Sequence, residues 1–315
     1  MLVTLCGGVG AARMLTGLVR VVPAGDITAI VNVGDDMVLH GLHISPDLDT
    51  VTYTLAGMDN RQTGWGIAGE SWTVMDELAK LGGESWFRLG DRDLATHLYR
   101  TERLHSGDTL STVTADIAAQ RQIGVRLLPV TDDPVRTRIT LDQATELGPP
   151  GTEVRFQDYF VRLRHEVAVR AVRFEGADAA RPAPGVLHAV EAAERIIVCP
   201  SNPVVSIGPI LAVPGLVEVL TSRRHQVIAV SPIVAGAAIR GPADRLMAEL
   251  GSDPTVVGVA RMYARWVGTL VIDEADRDCA PGIEAEGVRC VVAETVMDSP
   301  QRAATLAERV LSAVG

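Results

Sequence analysis

The sequence predicts an α/β protein: a doubly wound, mostly parallel Rossmann-like sheet with a helical cap subdomain and a small antiparallel β insertion. Three observations predict it. Short apolar, β-branched runs recur along the chain, helical patterns lie between several of them, and the runs end in loops rich in Gly, Ser, Asn or Asp. Runs apolar on both faces fit strands buried in a parallel sheet, and their alternation with helices makes that sheet doubly wound.

The runs are Leu2–Leu5, Ile27–Val33, Val125–Val130, Arg195–Cys199, Gln226–Val230, Thr269–Ile272 and Val288–Ala293. A helix is predicted over Ala11–Val22, with Met14, Leu15, Leu18, Val19 and Val22 on its apolar face. Another is predicted over Pro242–Leu250, opened by Pro and followed by Gly251. Ser299-Pro300 caps a last one, with Leu306, Val310 and Val314 on one stripe. Two stretches break the rhythm. From Trp65 to Gln122 there is no core strand, and Trp72, Met75, Leu78 and Leu81 recur at spacings of three. Val135–Leu141 and Val154–Val172 alternate polar and apolar residues around a Leu147-Gly-Pro-Pro-Gly turn, which predicts antiparallel strands with one wet face. The expected division is therefore 1–64, first part of the core; 65–122, helical cap; 123–133, core strand and loop; 134–185, antiparallel insertion ending in an Ala- and Pro-rich linker; and 186–315, the rest of the core.

Composition narrows the function. Among 315 residues, 29 Lys and Arg face 39 Asp and Glu, a net charge of −10, which argues against nucleic-acid binding. Lys80 is the only lysine, so Schiff-base chemistry and a phosphate-loop lysine are nearly excluded. No apolar run reaches the ~18 residues that span a membrane. Met1–Leu5 reads as a first strand rather than a signal peptide, and a cytoplasmic location is expected. The four cysteines, at 6, 199, 279 and 290, lack C-x-x-C spacing; reduced thiols are expected, with Cys6 and Cys199 in the core.

Ligands of open α/β sheets bind beyond the carboxyl ends of the strands. Gly7-Gly8-Val9-Gly10 follows the first run, where glycines let backbone amides approach an anion at a helix start. It is not a full G-x-G-x-x-G, because Arg13 takes the third glycine's place. Asn32-Val33-Gly34-Asp35-Asp36 follows the second; its acids suit a ribose hydroxyl or a metal. Asp47 and Asp49 stand two residues apart, so an extended chain turns both to one side. Such a pair suits Mg²⁺, and the alternative is that Asp49 or Thr50 caps a helix over Val51–Leu55. Arg88-Leu89-Gly90-Asp91-Arg92-Asp93 reads as a solvated turn with surface pairs, unless it has a ligand. His97 reads as a surface or buried structural histidine. Ser201-Asn202-Pro203 through Ser206 and Gly208 is a second loop suited to anions, and Ser231–Gly236 with Gly241–Asp244 is a third.

In this order, these words together resemble the 2-phospho-lactate transferases of coenzyme F420 biosynthesis, over nearly the whole chain. The resemblance implies an Mg²⁺-dependent transfer. The ribityl hydroxyl of the deazaflavin Fo (7,8-didemethyl-8-hydroxy-5-deazariboflavin) attacks a phosphorus of a guanosine-diphosphate-linked three-carbon acid, and GMP leaves. Archaeal members are associated with a lactyl donor. Actinobacterial members are associated with an enolpyruvyl donor and a dehydro product, and the Ala- and Arg-rich composition favours that second group. Carried over, Asp49 and Asp47 are the catalytic carboxylates. Asp49 and Arg88 match the Fo-contacting positions, with Arg88 where archaeal members are expected to hold lysine, and segment 65–122 becomes the acceptor-side cap. Gly7, Gly8, Gly10, Asn32, Asp35, Ser201, Asn202, Ser206 and Gly208 serve the nucleotide, and Asp36 and Asp47 the metal. The partners are these small molecules, with a homodimer left open. Two other readings compete. A nucleotide-sugar-binding regulator of the same superfamily is expected to carry a Gly- and Ser-rich segment in place of Ser45–Thr50, and Asp47 and Asp49 argue against it. A nicotinamide oxidoreductase rests on the glycine turn alone, and Arg13 counts against that.

Overall fold

Strand β1 (Leu2–Cys6) hands directly into helix α1 (Gly8–Val21), and the chain returns through β2 (Ile27–Val31). Every residue of both strands is buried, so neither alternates polar and apolar. In this computed structural model, which describes residues 1–60 and 64–313, a hairpin of β3 (Met37–Leu39) and β4 (Leu42–Ile44) follows. Helices α2 (Pro46–Leu55), α3 (Thr73–Lys80), α4 (Asp91–His105) and α5 (Leu110–Gln120) come next, before β5 (Arg126–Pro129). Strands β6 (Arg136–Leu141), β7 (Glu153–Arg155) and β8 (Val169–Glu175) pair antiparallel. The second half runs α6 (Val186–Ala192), β9 (Arg195–Val198), α7 (Gly208–Ala212), α8 (Leu216–Ser222), β10 (Val227–Val230) and a short hairpin, β11 (Ile233–Val234) with β12 (Ala237–Ala238). Helices α9 (Ala243–Glu249) and α10 (Val256–Tyr263) lead to β13 (Thr269–Asp273), α11 (Ala280–Ala285), β14 (Arg289–Ala293) and α12 (Pro300–Ser312).

Seven strands form one parallel sheet in the order β14-β13-β10-β9-β1-β2-β5. These are the seven predicted runs, each matched within two residues. The chain winds outward from β1 on one side and from β9 on the other, so the order reverses between β1 and β9. Doubly wound sheets open a ligand crevice at that point. Cys6 and Cys199 lie there in the core as free thiols that share a hydrogen bond, with sulfurs 3.7 Å apart. Leu306 and Val310 are buried under α12 as the stripe predicts, whereas Val314 lies outside the described residues.

Two expectations are corrected. The run Val154–Val172 is not one strand: β7 ends at Arg155, and a π-helical turn, Asp158–Arg162, intervenes before β8. Its spacing is helical, since Phe156 stacks on Phe160 at 5.2 Å and Arg155 pairs with Asp158 at 2.7 Å; both pairings need neighbours three or four residues apart. Leu81, assigned to the helical stripe of the cap, is the C-cap of α3 and is 86% exposed. Met75 and Leu78 do face the cap's apolar cluster, while Trp72 is the N-cap of α3 and packs against Trp65. Met75 packs with Leu78 and Leu89 against Met37, Leu39 and Ile44 of the β3–β4 hairpin, while α5 joins the main core through Leu110 and Ala118. Among the described residues, no single helix is long and apolar enough to cross a membrane.

Candidate functional site at the switch point of the sheet

Loops from β1, β2 and β9 meet where the strand order reverses. Gly7 has no side chain, and a Cβ there would lie 2.6 Å from the Ser206 Cβ and 3.0 Å from Asp47 Oδ2; the missing carbon lets both close over the loop. The Ser201 hydroxyl accepts from the Gly7 amide at 3.3 Å and donates to the Gly7 carbonyl at 2.8 Å, tying β9's loop to β1's. Gly8 begins α1 at φ +66°, a left-handed conformation that glycine adopts without cost. Its amide donates to Asp47 Oδ1 at 2.8 Å.

Asn32 fixes the second loop. It is fully buried; its Oδ1 accepts from the Gly34 amide at 2.7 Å, and its Nδ2 donates to Asp47 Oδ2 at 2.9 Å. This brings Asp35, Asp36 and Asp47 together although Asp47 lies on α2. The Ser45 hydroxyl donates to Asp36 Oδ2 at 2.7 Å. Asp35 Oδ1 and Asp36 Oδ1 are buried without a hydrogen-bond partner among the described residues. Burial pushes Asp36 up to about 7 and Asp47 to about 6. It raises Asp35 as well, reinforced by the charges of Asp47 and Asp36. Asp47 has both oxygens bonded, but Asp35 and Asp36 each keep an unpartnered buried oxygen, and an all-oxygen donor set suits a hard ion such as Mg²⁺. The residues present therefore fit the metal that the resemblance implies, with Asp35 added to the predicted Asp36 and Asp47.

The paired reading of Asp47 and Asp49 is corrected. Both sit in the first turn of α2, which begins at Pro46, so Ser45 is the N-cap and neither Asp49 nor Thr50 is. Residues two apart on a helix lie about 200° apart around its axis. Asp47 thus turns to Gly8 and Asn32, and Asp49 turns to α4, where Arg100 grips it through two nitrogens. Both Asp49 and Arg100 are buried. Around them, His97 Nε2 lies 3.1 Å from Asp93, and the Tyr53 hydroxyl donates to Asp93 at 2.5 Å. Burial alone would raise Asp93, but the His97 and Tyr53 hydrogen bonds and the Arg100 charge outweigh it and hold Asp93 low. Asp49, Asp93 and His97 are close enough to share an ion, with ligand atoms within 4.8 Å of one another. Arg100 already neutralises Asp49, however, which makes this an internal ion-pair network. His97 is buried and structural. Arg100 and Tyr53 carried no local signal, because their partners are remote in sequence.

Asp93 also reaches the surface. With Glu70, Trp65 and Trp72 it lines a small indentation at the start of α4. Arg88 lies beside this wall, stacked over Trp72 at 4.8 Å and paired with Asp76 at 2.8 Å, not with Asp91 or Asp93. Asp91 instead accepts from the Thr73 and Val74 amides at the start of α3, while Glu70 accepts from the Arg92 and Asp93 amides at the start of α4. Helix α4 thus caps α3 through Asp91, and Glu70, just ahead of α3, caps α4.

Not every predicted polar loop reaches the crevice. Asp132 accepts from Ser111 at the start of α5, Ser231 bonds within its own turn to Ile233, and Asp273 ties Ala275 to Thr295. Asn202 caps the turn after it by accepting from Val204 and Val205. Two of the predicted nucleotide glycines have packing roles: a Cβ on Gly10 would meet the Pro200 carbonyl at 2.2 Å, and one on Gly208 would meet Phe174 at 2.8 Å.

Fold and site together define a doubly wound α/β protein with a buried, all-oxygen carboxylate cluster at its switch point. The family model for 2-phospho-L-lactate transferase CofD matches residues 2–301, and the chain belongs to this family of transferases. It is 45% identical to a phosphoenolpyruvate transferase of Streptomyces griseus over 98% of this chain and 97% of that one. It is 38% identical to the protein of that name from Mycolicibacterium smegmatis, over 99% and 98%. A solved structure of a UPF0052 family protein from Bacillus halodurans superposes with a TM-score of 0.61 at 16% identity, covering 98% of both chains, and so shares the fold.

Proposed function

We propose that this chain transfers a phosphoenolpyruvyl group from a guanosine-diphosphate-linked donor to the ribityl hydroxyl of Fo, giving dehydro coenzyme F420-0 and GMP. The observation that carries the reading is the meeting of the Gly8 loop, the Ser201–Ser206 loop and three raised carboxylates at one crevice. That arrangement suits a diphosphate and its cation. The names of the Streptomyces and Mycolicibacterium relatives support the enolpyruvyl form of the donor.

In this reaction the hydroxyl oxygen forms a bond to the donor phosphorus. The bond from that phosphorus to the GMP oxygen breaks, GMP keeps the electron pair, and the hydroxyl proton is released. Such transfers depend on positioning and charge neutralisation more than on covalent help from the protein. Asp35, Asp36 and Asp47 would hold Mg²⁺, which when bound supplies charge neutralisation at the phosphates. The Ser206 hydroxyl and the start of α1 orient the diphosphate, while Ser201 holds the two loops together. Arg100 fixes Asp49 in the first turn of α2, one residue from Leu48 and two from Asp47, so the acceptor side and the metal side share one rigid helix. The Trp65–Trp72 wall, with Arg88 over it, receives the polar deazaflavin ring.

The test is incubation with Fo, Mg²⁺ and either the enolpyruvyl or the lactyl donor, read by product mass. The enolpyruvyl product is lighter by two hydrogens. Turnover with the lactyl donor only would reassign the donor, and turnover with neither would end the proposal.

A further inference from the structure

A cleft of about 220 Å³ opens beyond Asp35 and Asp36, and its far wall belongs to the antiparallel sheet. Strand alternation puts Arg136 and Arg138 of β6 on one face, and the register sets Arg138 directly opposite Arg155 of β7. All three line the cleft. Like charges opposed across strands are destabilising unless neutralised. Arg138 is neutralised by Glu175 at 2.7 Å and Arg155 by Asp158 at 2.7 Å. Arg136 is different. It donates to the carbonyl of its neighbour Val135 at 2.9 Å, and no carboxylate among the described residues lies within ion-pair distance of it. Its charge is felt at Asp36, where it favours the ionised form. A half-buried guanidinium thus stands across a cleft from an acidic cluster, with no acid of its own.

We infer that Arg136 binds the carboxylate of the three-carbon acid on the donor. The inference rests on the proposed function above and extends it to a subsite. The cleft is bounded by Asp35 and Asp36 but by none of Gly7, Gly8 or Ser201, so it is a space separate from the glycine loop. With the diphosphate at the switch point, what enters the cleft is one end of the donor. The guanosine end is uncharged and has no use for a cation; the acid end carries a carboxylate that Asp35 and Asp36 would repel. A guanidinium fork matches a carboxylate in shape as well as charge. The antiparallel insertion is then the part of the chain that reads the acid. Its hold on the core is direct, since the Thr137 amide next to Arg136 donates to the Gly34 carbonyl at 2.7 Å.

Calorimetric titration of the full chain with Mg²⁺ tests this, using the enolpyruvyl donor and GDP as separate ligands. In Arg136→Gln, donor affinity should fall by roughly tenfold or more, the scale of losing a charge-assisted contact. GDP affinity and the Fo KM should hold, and Arg136→Lys should recover part of the loss. An unchanged melting temperature is expected in both variants. Equal weakening of donor and GDP would overturn the assignment, because Arg136 would then read phosphate. Unchanged donor affinity in Arg136→Gln would overturn it as well. A wild-type chain that binds neither donor nor GDP would instead remove the proposed function itself.

Discussion

The Gly8 amide donates to Asp47 Oδ1 at 2.8 Å, so a carboxylate of the protein occupies the start of α1. Helix N-termini favour negative charge, and this one has recruited a side chain from α2. The same Asp47 accepts from Asn32 and crowds Asp35. One residue therefore joins the glycine loop, the second strand's loop and the carboxylate cluster. On the proposed function, a diphosphate entering there would meet an anion, and a divalent cation between them would resolve the conflict.

The carboxylate cluster makes stability depend on pH in an unusual direction. Asp36 and Asp47 are raised to about 7 and about 6, and Asp35 is raised too. An unfolded aspartate releases its proton near pH 4, at about 3.9. Between that value and the folded values the native state holds more protons than the unfolded one, so stability falls as pH rises. In chelator-treated protein, this cluster should contribute a decline in melting temperature from about pH 4.5 to 7.5. Mg²⁺ should flatten that slope by favouring the ionised forms. Melting curves across this range, with chelator and with Mg²⁺, check it; the same slope in both would remove the metal from the cluster.

Gly10 and Gly8 should separate in a stability measurement. An alanine methyl at Gly10 would overlap the Pro200 carbonyl, so Gly10→Ala should cost about 1–3 kcal/mol in ligand-free protein. Gly8→Ala meets no close atom, and its penalty is the left-handed backbone, about 1–2 kcal/mol. Urea titration without ligand measures both. A Gly10→Ala protein of normal stability with selectively weakened donor binding would return Gly10 to the nucleotide site.

Removing one partner of the buried Asp49–Arg100 pair strands the other. Arg100→Met should destabilise by about 3–5 kcal/mol, and adding Asp49→Leu should recover most of that. Asp49→Asn should lower turnover per folded molecule by at least ~10²-fold, the scale of losing a positioned polar contact. It should also lower stability, because the Arg100 charge is left behind. Denaturant midpoints and kcat on the folded fraction separate the two effects; normal turnover in Asp49→Asn would make the pair purely structural.

Arg88 makes an exposed pair, so Arg88→Ala should cost under about 1 kcal/mol of stability. If its position over Trp72 receives the acceptor ring, the Fo KM should rise roughly 10–100-fold with the donor KM unmoved, since about 1.4 kcal/mol is tenfold. Arg88→Lys should recover much of the loss. Fo fluorescence titration decides it, and unchanged Fo affinity in Arg88→Ala would take Arg88 out of the site.

The strands of the parallel sheet were legible because a strand covered on both faces is apolar at nearly every position, a signature carried within five residues; edge strand β14, with Arg289 exposed, carries it least. The glycine loop was legible for a similar reason: it joins a strand to a helix with nothing between. Asn32, Asp35, Asp36 and Asp47 were legible as candidates, though not as neighbours. Which polar loops build the site was decided only by strand order, since the reversal falls between β1 and β9 and leaves the loops of β5, β10 and β13 to cap and tie. The start of α2 at Pro46, a Ser-Pro signal like that of Ser299-Pro300, sent Asp47 and Asp49 to opposite sides. Arg100 answers Asp49 from 51 residues away, and Arg136 faces Asp36 from a separate sheet. Contacts at that distance leave no periodicity in the chain, because burial and charge balance are settled by which elements pack together and not by the residues alongside.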